Sequence, residues 1–174
     1  MLQNLSQFNN IGDYLPIITA ALIIDMIVLF RIVFGYINMA SINKWYNNFG
    51  FLAVIADVLS IVIGIILARF LYPFIFTKYS LIQFLFLTCA IQIIHDLSFA
   101  AFFNSIPRNK SAILDVFKDY GKEGGFQILF VDAIMMMTTI LLASYLATLS
   151  TNSIMIILIV SLYILPYLLY SIKK

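Results

Sequence analysis

The chain has 174 residues, of which 63% are hydrophobic and only 10% charged, with a formal net charge of +2 and a mean hydropathy of +1.04. That composition excludes a soluble globular domain and leaves room for one membrane domain with little outside it. The single cysteine, Cys89, excludes a disulfide framework, and so small a net charge gives no support for nucleic-acid binding.

Residues 1–14 carry neither a basic region nor a small-residue cleavage site ahead of the first apolar run, so they do not read as a cleavable secretory signal. A membrane span takes about 20 mainly apolar residues. Five segments meet that need, at 14–36, 51–72, 80–103, 126–148 and 152–172. The expected fold is therefore all-α, a polytopic transmembrane helix bundle. Residues 38–48 with Lys44 form the first break, 73–78 beginning at Pro73 the second, and 104–125 the third. The last connection, 149–152, is so short that the final two spans are expected to form a tight helical hairpin.

Lys44, Arg108, Lys110, Lys118, Lys122, Lys173 and Lys174 all fall on the side reached after the odd-numbered spans, against Lys78 on the other. The excess of basic residues on that side predicts an external N-terminus and a cytoplasmic C-terminus. Arg31 and Arg69 lie near span ends and are expected to snorkel to the interfaces, where Trp45, Tyr46, Tyr72 and Tyr79 also belong. Pro166 predicts a kink in the fifth span, and Met135, Met136 and Met137 read as adaptable packing.

Four of the eight acidic residues, Asp25, Asp57, Asp96 and Asp132, stand inside separate spans, and the only histidine, His95, adjoins the third. An acid near the bilayer centre costs roughly 2.5–3.5 kcal/mol on insertion scales, so four of them call for partners, protons or a function. Counted from the basic side, these groups lie roughly 9–17 Å deep at the helical rise. A shared layer is thus compatible with the sequence, although depth leaves rotation open.

Spacing adds some rotational information. Ala56, Ser60, Gly64 and Ala68 form a small-residue stripe bordered by Asp57. Asp132, Thr139, Ala143 and Ala147 share one helical face, as do Thr88, Gln92, His95 or Asp96, and Phe99. Ser60, Gln92 and Thr139 are the supporting polar groups of this seam. His95 and Asp96 project about 100° apart around a helix, which argues against a preformed dyad.

No HExxH, GxSxG or phosphate-binding glycine loop is present, and one histidine cannot supply a bis-histidine haem site within the chain. The expectation is a non-enzymatic protein that needs no cofactor. Two readings of the polar residues remain. In the first they hydrogen-bond across helices and hold the bundle, or an oligomer of it, together. In the second, Asp25, Asp57, His95, Asp96 and Asp132 form a proton or cation site of a channel or transporter.

Within 104–125, Ser111 is placed to cap a helix spanning about 111–121 that ends at Gly121 or Gly124. Ile113, Val116, Phe117 and Tyr120 repeat on one face, and Lys110, Asp115, Lys118, Asp119 and Lys122 take the others. Such a helix is expected to lie along the inner membrane surface, where it either simply covers the cytoplasmic end of the bundle or offers 108–123 as a docking surface for a membrane or virion partner. Residues 92–125, with 132–137 after them, resemble uncharacterised polytopic membrane proteins of large nucleocytoplasmic DNA viruses. The resemblance implies a viral origin and residence in a virion or host membrane, and it transfers no catalytic residue.

Overall fold

A computed structural model describes residues 2–171; Ile172, the end of the fifth expected span, and Lys173 and Lys174 of the charge balance lie outside the described residues. The described chain is helical, with α1 at Tyr14–Val33, α2 at Ala40–Phe49, α3 at Phe51–Ile75, α4 at Leu81–Ser105, α5 at Ala112–Gly124, α6 at Phe126–Leu146 and α7 at Thr151–Leu169. Five of these helices, α1, α3, α4, α6 and α7, are long and apolar enough to cross a membrane. The protein is an integral membrane protein of the polytopic helical class. α3 runs two residues past Pro73, because a proline in the final turn removes only one helical hydrogen bond.

α1 is the centre of the bundle. It packs against α3, α6 and α7, while α4 packs against α3 and α6. Thr19, Ala20 and Ala21 of α1 are fully buried, and residues this small let neighbouring backbones come close. That preference overturns the expected hairpin. α7 lies along α1 and makes little contact with α6, so the short turn at 147–150 joins two helices that diverge.

The reading of residues 38–48 as a plain break also requires correction, since α2 is a second short amphipathic helix. Ile42, Trp45, Tyr46 and Phe49 recur at helical spacing on one face, and Trp45 and Tyr46 are buried. Asn43, Asn47 and Asn48 on the remaining surface gave the segment its loop-like composition. α5 follows the expected pattern more closely. Ser111 caps it by accepting from the Leu114 N–H at 3.4 Å, and Gly124 is its last residue.

α2 and α5 pack on each other at one end of the bundle and form a lid. Trp45 and Phe103 each meet Phe117, with ring centroids 4.7 and 5.0 Å apart. Each lid helix runs straight into a span through a glycine at positive φ, Gly50 at +52° and Gly125 at +53°. Only glycine takes that conformation without strain, so both joints depend on it.

The lid is also tied electrostatically. Glu123 of α5 caps the start of α2, accepting from the Ala40 N–H and the Ser41 N–H at 2.8 Å each, and from the Ser41 hydroxyl. The Ser41 hydroxyl and these backbone donors hold the Glu123 carboxyl below its ordinary value of 4.5. A group with a depressed folded value stabilises the docked lid above the unfolded value and loses that contribution as pH falls through the folded one. The protection of the amides at residues 40–43, relative to their intrinsic exchange rates, is therefore expected to fall on acidification below about pH 4.5. In Glu123→Gln that protection should be low already at neutral pH and respond little to acid.

At the opposite end, residues 2–13 fold back over the bundle, with the Gln3 N–H donating to the Ser144 carbonyl at 3.0 Å. Arg69 does not snorkel. It is 0% exposed and donates through Nη2 to Asp13 Oδ2 at 3.0 Å, to the Asn10 carbonyl at 2.9 Å and to the Gln7 carbonyl. The Tyr14 ring lies 4.8 Å from the guanidinium carbon. The N-terminal segment brings an acid and two carbonyls to the arginine, which removes its need to reach the interface.

Candidate functional site

Between the lid and the spans lies a cavity of about 750 Å³. Asp25 of α1, Asp57 and Ser60 of α3, Gln92, His95 and Asp96 of α4, and Asp132 of α6 all line it. Seven of the residues singled out from the sequence thus share one chamber. Thr139 does not join them: it is fully buried elsewhere and donates to the Met135 carbonyl of its own helix at 2.8 Å. The small-residue stripe of α3 divides in the same way. Gly64 and Ala68 are buried in packing, whereas Ala56 is exposed on the chamber wall.

Gly64 explains how α3, α4 and α6 converge beneath the chamber. A Cβ built there would lie 2.8 Å from the Met136 Cε and 3.7 Å from the Gln92 Oε1. The absence of a side chain at 64 therefore seats Met136, which is fully buried, and brings Gln92 to the edge of the acid layer.

α2 supplies the groups that complete the site. Trp45 Nε1–H donates to Asp57 Oδ2 at 2.9 Å. The Tyr46 hydroxyl lies 3.0 Å from the same oxygen and 3.2 Å from Asp25 Oδ1. A phenol has one hydrogen, so it donates to one carboxylate and satisfies the other only by accepting from a protonated carboxyl. Burial, then the charges of Asp25 and Asp57, push the Tyr46 hydroxyl well above its ordinary pKa, so it stays a donor at neutral pH.

On α4, Gln92 Nε2 donates to Asp96 Oδ1 at 2.8 Å, and His95 Nδ1 lies 3.1 Å from that oxygen while its ring stacks on Phe99 at 4.5 Å. The expectation that His95 and Asp96 would stay apart is corrected. Their Cβ directions diverge, but side-chain rotation brings the imidazole back over the helix to the carboxylate. Asp132 has no hydrogen-bond partner among the described residues. Tyr120 of α5 faces it: burial first, then Asp132, Asp57 and Asp96, raise the Tyr120 phenol above its ordinary range.

Two carboxylate oxygens of the chamber's lining residues, Asp25 Oδ2 and Asp96 Oδ2, are buried without partners. Buried polar atoms are rarely left so, because each loses its hydration for no return. Lys118 and Lys122 of α5 also reach the lining, but Lys118 donates to the Ile106 carbonyl and Lys122 is exposed. The chamber is thus strongly acidic inside and basic at its lid. Among the described residues, no three of His, Cys, Asp and Glu are placed to hold one metal ion. The acids surround a space and do not converge on a point.

Trp45 and Tyr46 were legible in the sequence only as interfacial residues, and Ser41 was not singled out at all. The available signal was an amphipathic turn ending eight residues before Asp57. No family model matches the chain, and neither a curated protein nor a solved structure does.

Proposed function

We propose that this chain is a non-enzymatic membrane protein whose acidic chamber takes up protons or a cation. The observation that carries the reading is the convergence of Asp25, Asp57, His95, Asp96 and Asp132 on one cavity, with two carboxylate oxygens unpartnered. A seam that served packing alone would close these groups against one another, as Tyr46 closes on Asp25 and Asp57. Carboxylates gathered in low dielectric do not all stay ionised without compensation, so protons or a cation must enter.

The lid end belongs on the cytoplasmic side in this reading, with the N-terminus outside. The support is the charge bias, since Lys44, Arg108, Lys110, Lys118 and Lys122 cluster at the lid and Lys78 lies at the other end. Residence in a viral or host membrane is supported by the resemblance of residues 92–125 and 132–137 to viral membrane proteins. The exposed part of 108–123 is then the surface offered to a membrane or virion partner.

In proteoliposomes, the protein is expected to carry a proton or cation flux that varies between about pH 5 and 8. Asp132→Asn should lower that flux roughly tenfold, and His95→Gln should alter its pH dependence. Correctly inserted protein that passes no H⁺, Na⁺, K⁺ or Ca²⁺ would return the acids to a packing role.

A further inference from the structure

The chamber is far larger than a bare ion needs. Its volume of about 750 Å³ falls in the range of cavities that hold small organic molecules. An inorganic cation entering it would shed its hydration against walls that are mostly apolar, with no three acidic or imidazole groups among the described residues placed around one point.

The walls suit a different cation. Trp45, Tyr46, Phe99, Phe103 and Phe117 line the same space as the carboxylates. Aromatic faces attract ammonium groups, and the attraction grows where water is excluded. Asp25 is 0% exposed and lines the chamber with its Oδ2 unpartnered, and Asp96 Oδ2 is unpartnered too. Such oxygens accept N–H donors, of which a primary ammonium has three.

The rim indicates the route. Leu59 and Ile63 of α3 line the chamber and are 49% and 54% exposed. Ile63 stands midway along the 25-residue span of α3, at a depth where exposed apolar side chains face hydrocarbon. The chamber therefore reaches the lipid-facing surface well below the lid.

We propose that the chamber binds the ammonium head of a lipophilic primary amine, which enters sideways from the bilayer past Leu59 and Ile63 and leaves its tail in the hydrocarbon. This rests on the cation-uptake reading and names the class of cation. The charged or titratable groups facing the head are Asp25 of α1, Tyr46 of α2, Asp57 of α3, His95 and Asp96 of α4, Tyr120 with Lys118 and Lys122 of α5, and Asp132 of α6. Four carboxylates against two lysines, one of them tied to the Ile106 carbonyl, leave the interior attractive to a cation.

The test uses the full chain in phosphatidylcholine nanodiscs and the fluorescence of Trp45, the single tryptophan, which lies in the chamber wall. Dodecylammonium at neutral pH should change that emission saturably. Dodecanol, with the same tail and no charge, should not, and butylammonium should bind roughly tenfold more weakly or worse. Asp132→Asn should weaken dodecylammonium roughly tenfold, with unchanged helicity and no drop in melting temperature, because Asp132 has no hydrogen bond to lose. Should that variant misfold, Ile63→Phe on the lipid-facing rim gives an independent reading: slower association of dodecylammonium, with butylammonium affinity unchanged.

A dodecanol response equal to that of the amine, or wild-type affinity in folded Asp132→Asn, overturns the proposal. Cation or proton flux in proteoliposomes without saturable amine binding overturns this inference and leaves the broader reading standing. Absence of both removes the two together.

Discussion

Replacing Arg69 with Met is expected to lower stability by about 3–5 kcal/mol, the usual cost of stranding one member of a buried ion pair. Asp13, itself buried, would keep only the Asn10 side-chain amide as a partner, at 2.9 Å. The Gln7 and Asn10 carbonyls would lose the arginine in the same step and keep only backbone donors, the Asn10 N–H at 3.1 Å and the Asp13 N–H at 3.3 Å. Because the loss arises from an uncompensated charge, the double variant Arg69→Met with Asp13→Leu should recover most of it. Lysine at 69 should fall between, since one compact ammonium cannot reproduce the reach of a guanidinium. Unfolding in detergent titrated with SDS measures the stabilities. Exchange at residues 3–10 should rise in Arg69→Met alone, because the clamp holds that segment. An Arg69→Met protein as stable as the original would show that the arginine, although enclosed, does not hold the N-terminal segment.

Tyr46→Phe should cost about 1–3 kcal/mol through a different mechanism. The phenol supplies the hydrogen bond recorded for Asp25, at 3.2 Å, and Asp25 is fully buried with its other oxygen already unpartnered. Phenylalanine fills nearly the same space, so packing changes little and the penalty reports the stranded carboxyl. In a double-mutant cycle with Asp25→Leu, the two losses should therefore be strongly non-additive, with the second substitution costing much less after the first. Asp57 would be spared, because Trp45 still donates to it at 2.9 Å. Additive losses would mean that Tyr46 stabilises the lid by its ring alone.

These two sites lie at opposite ends of the bundle and differ in what the sequence disclosed about them. The number, order and approximate limits of the five spans were legible, because an apolar run of span length has few other stable solutions and its breaks carry Asn, Pro, Gly and Lys. α5 was legible too, through Ser111 and the repeat of Ile113, Val116, Phe117 and Tyr120. The identity of the acidic residues needed no structure, since an aspartate in each of four spans is costly wherever it points.

Rotation and proximity were decided only by the tertiary structure. Depth placed Asp25, Asp57, Asp96 and Asp132 at similar levels, but whether they met depended on how α1, α3, α4 and α6 turned about their axes. Apolarity all round a lipid-facing helix erases the hydrophobic stripe that would fix this in a soluble bundle. Thr139 shares a helical face with Asp132 and still misses the chamber for that reason. Short polar segments lost the most information. The sequence composition of 38–48 hid α2, whose Trp45 and Tyr46 complete the site. Residues 2–13 gave no sign of folding back onto Arg69, because a contact across 56 positions or more has no local signature. Local chemistry determined which groups were costly; long-range packing determined which partner relieved each of them.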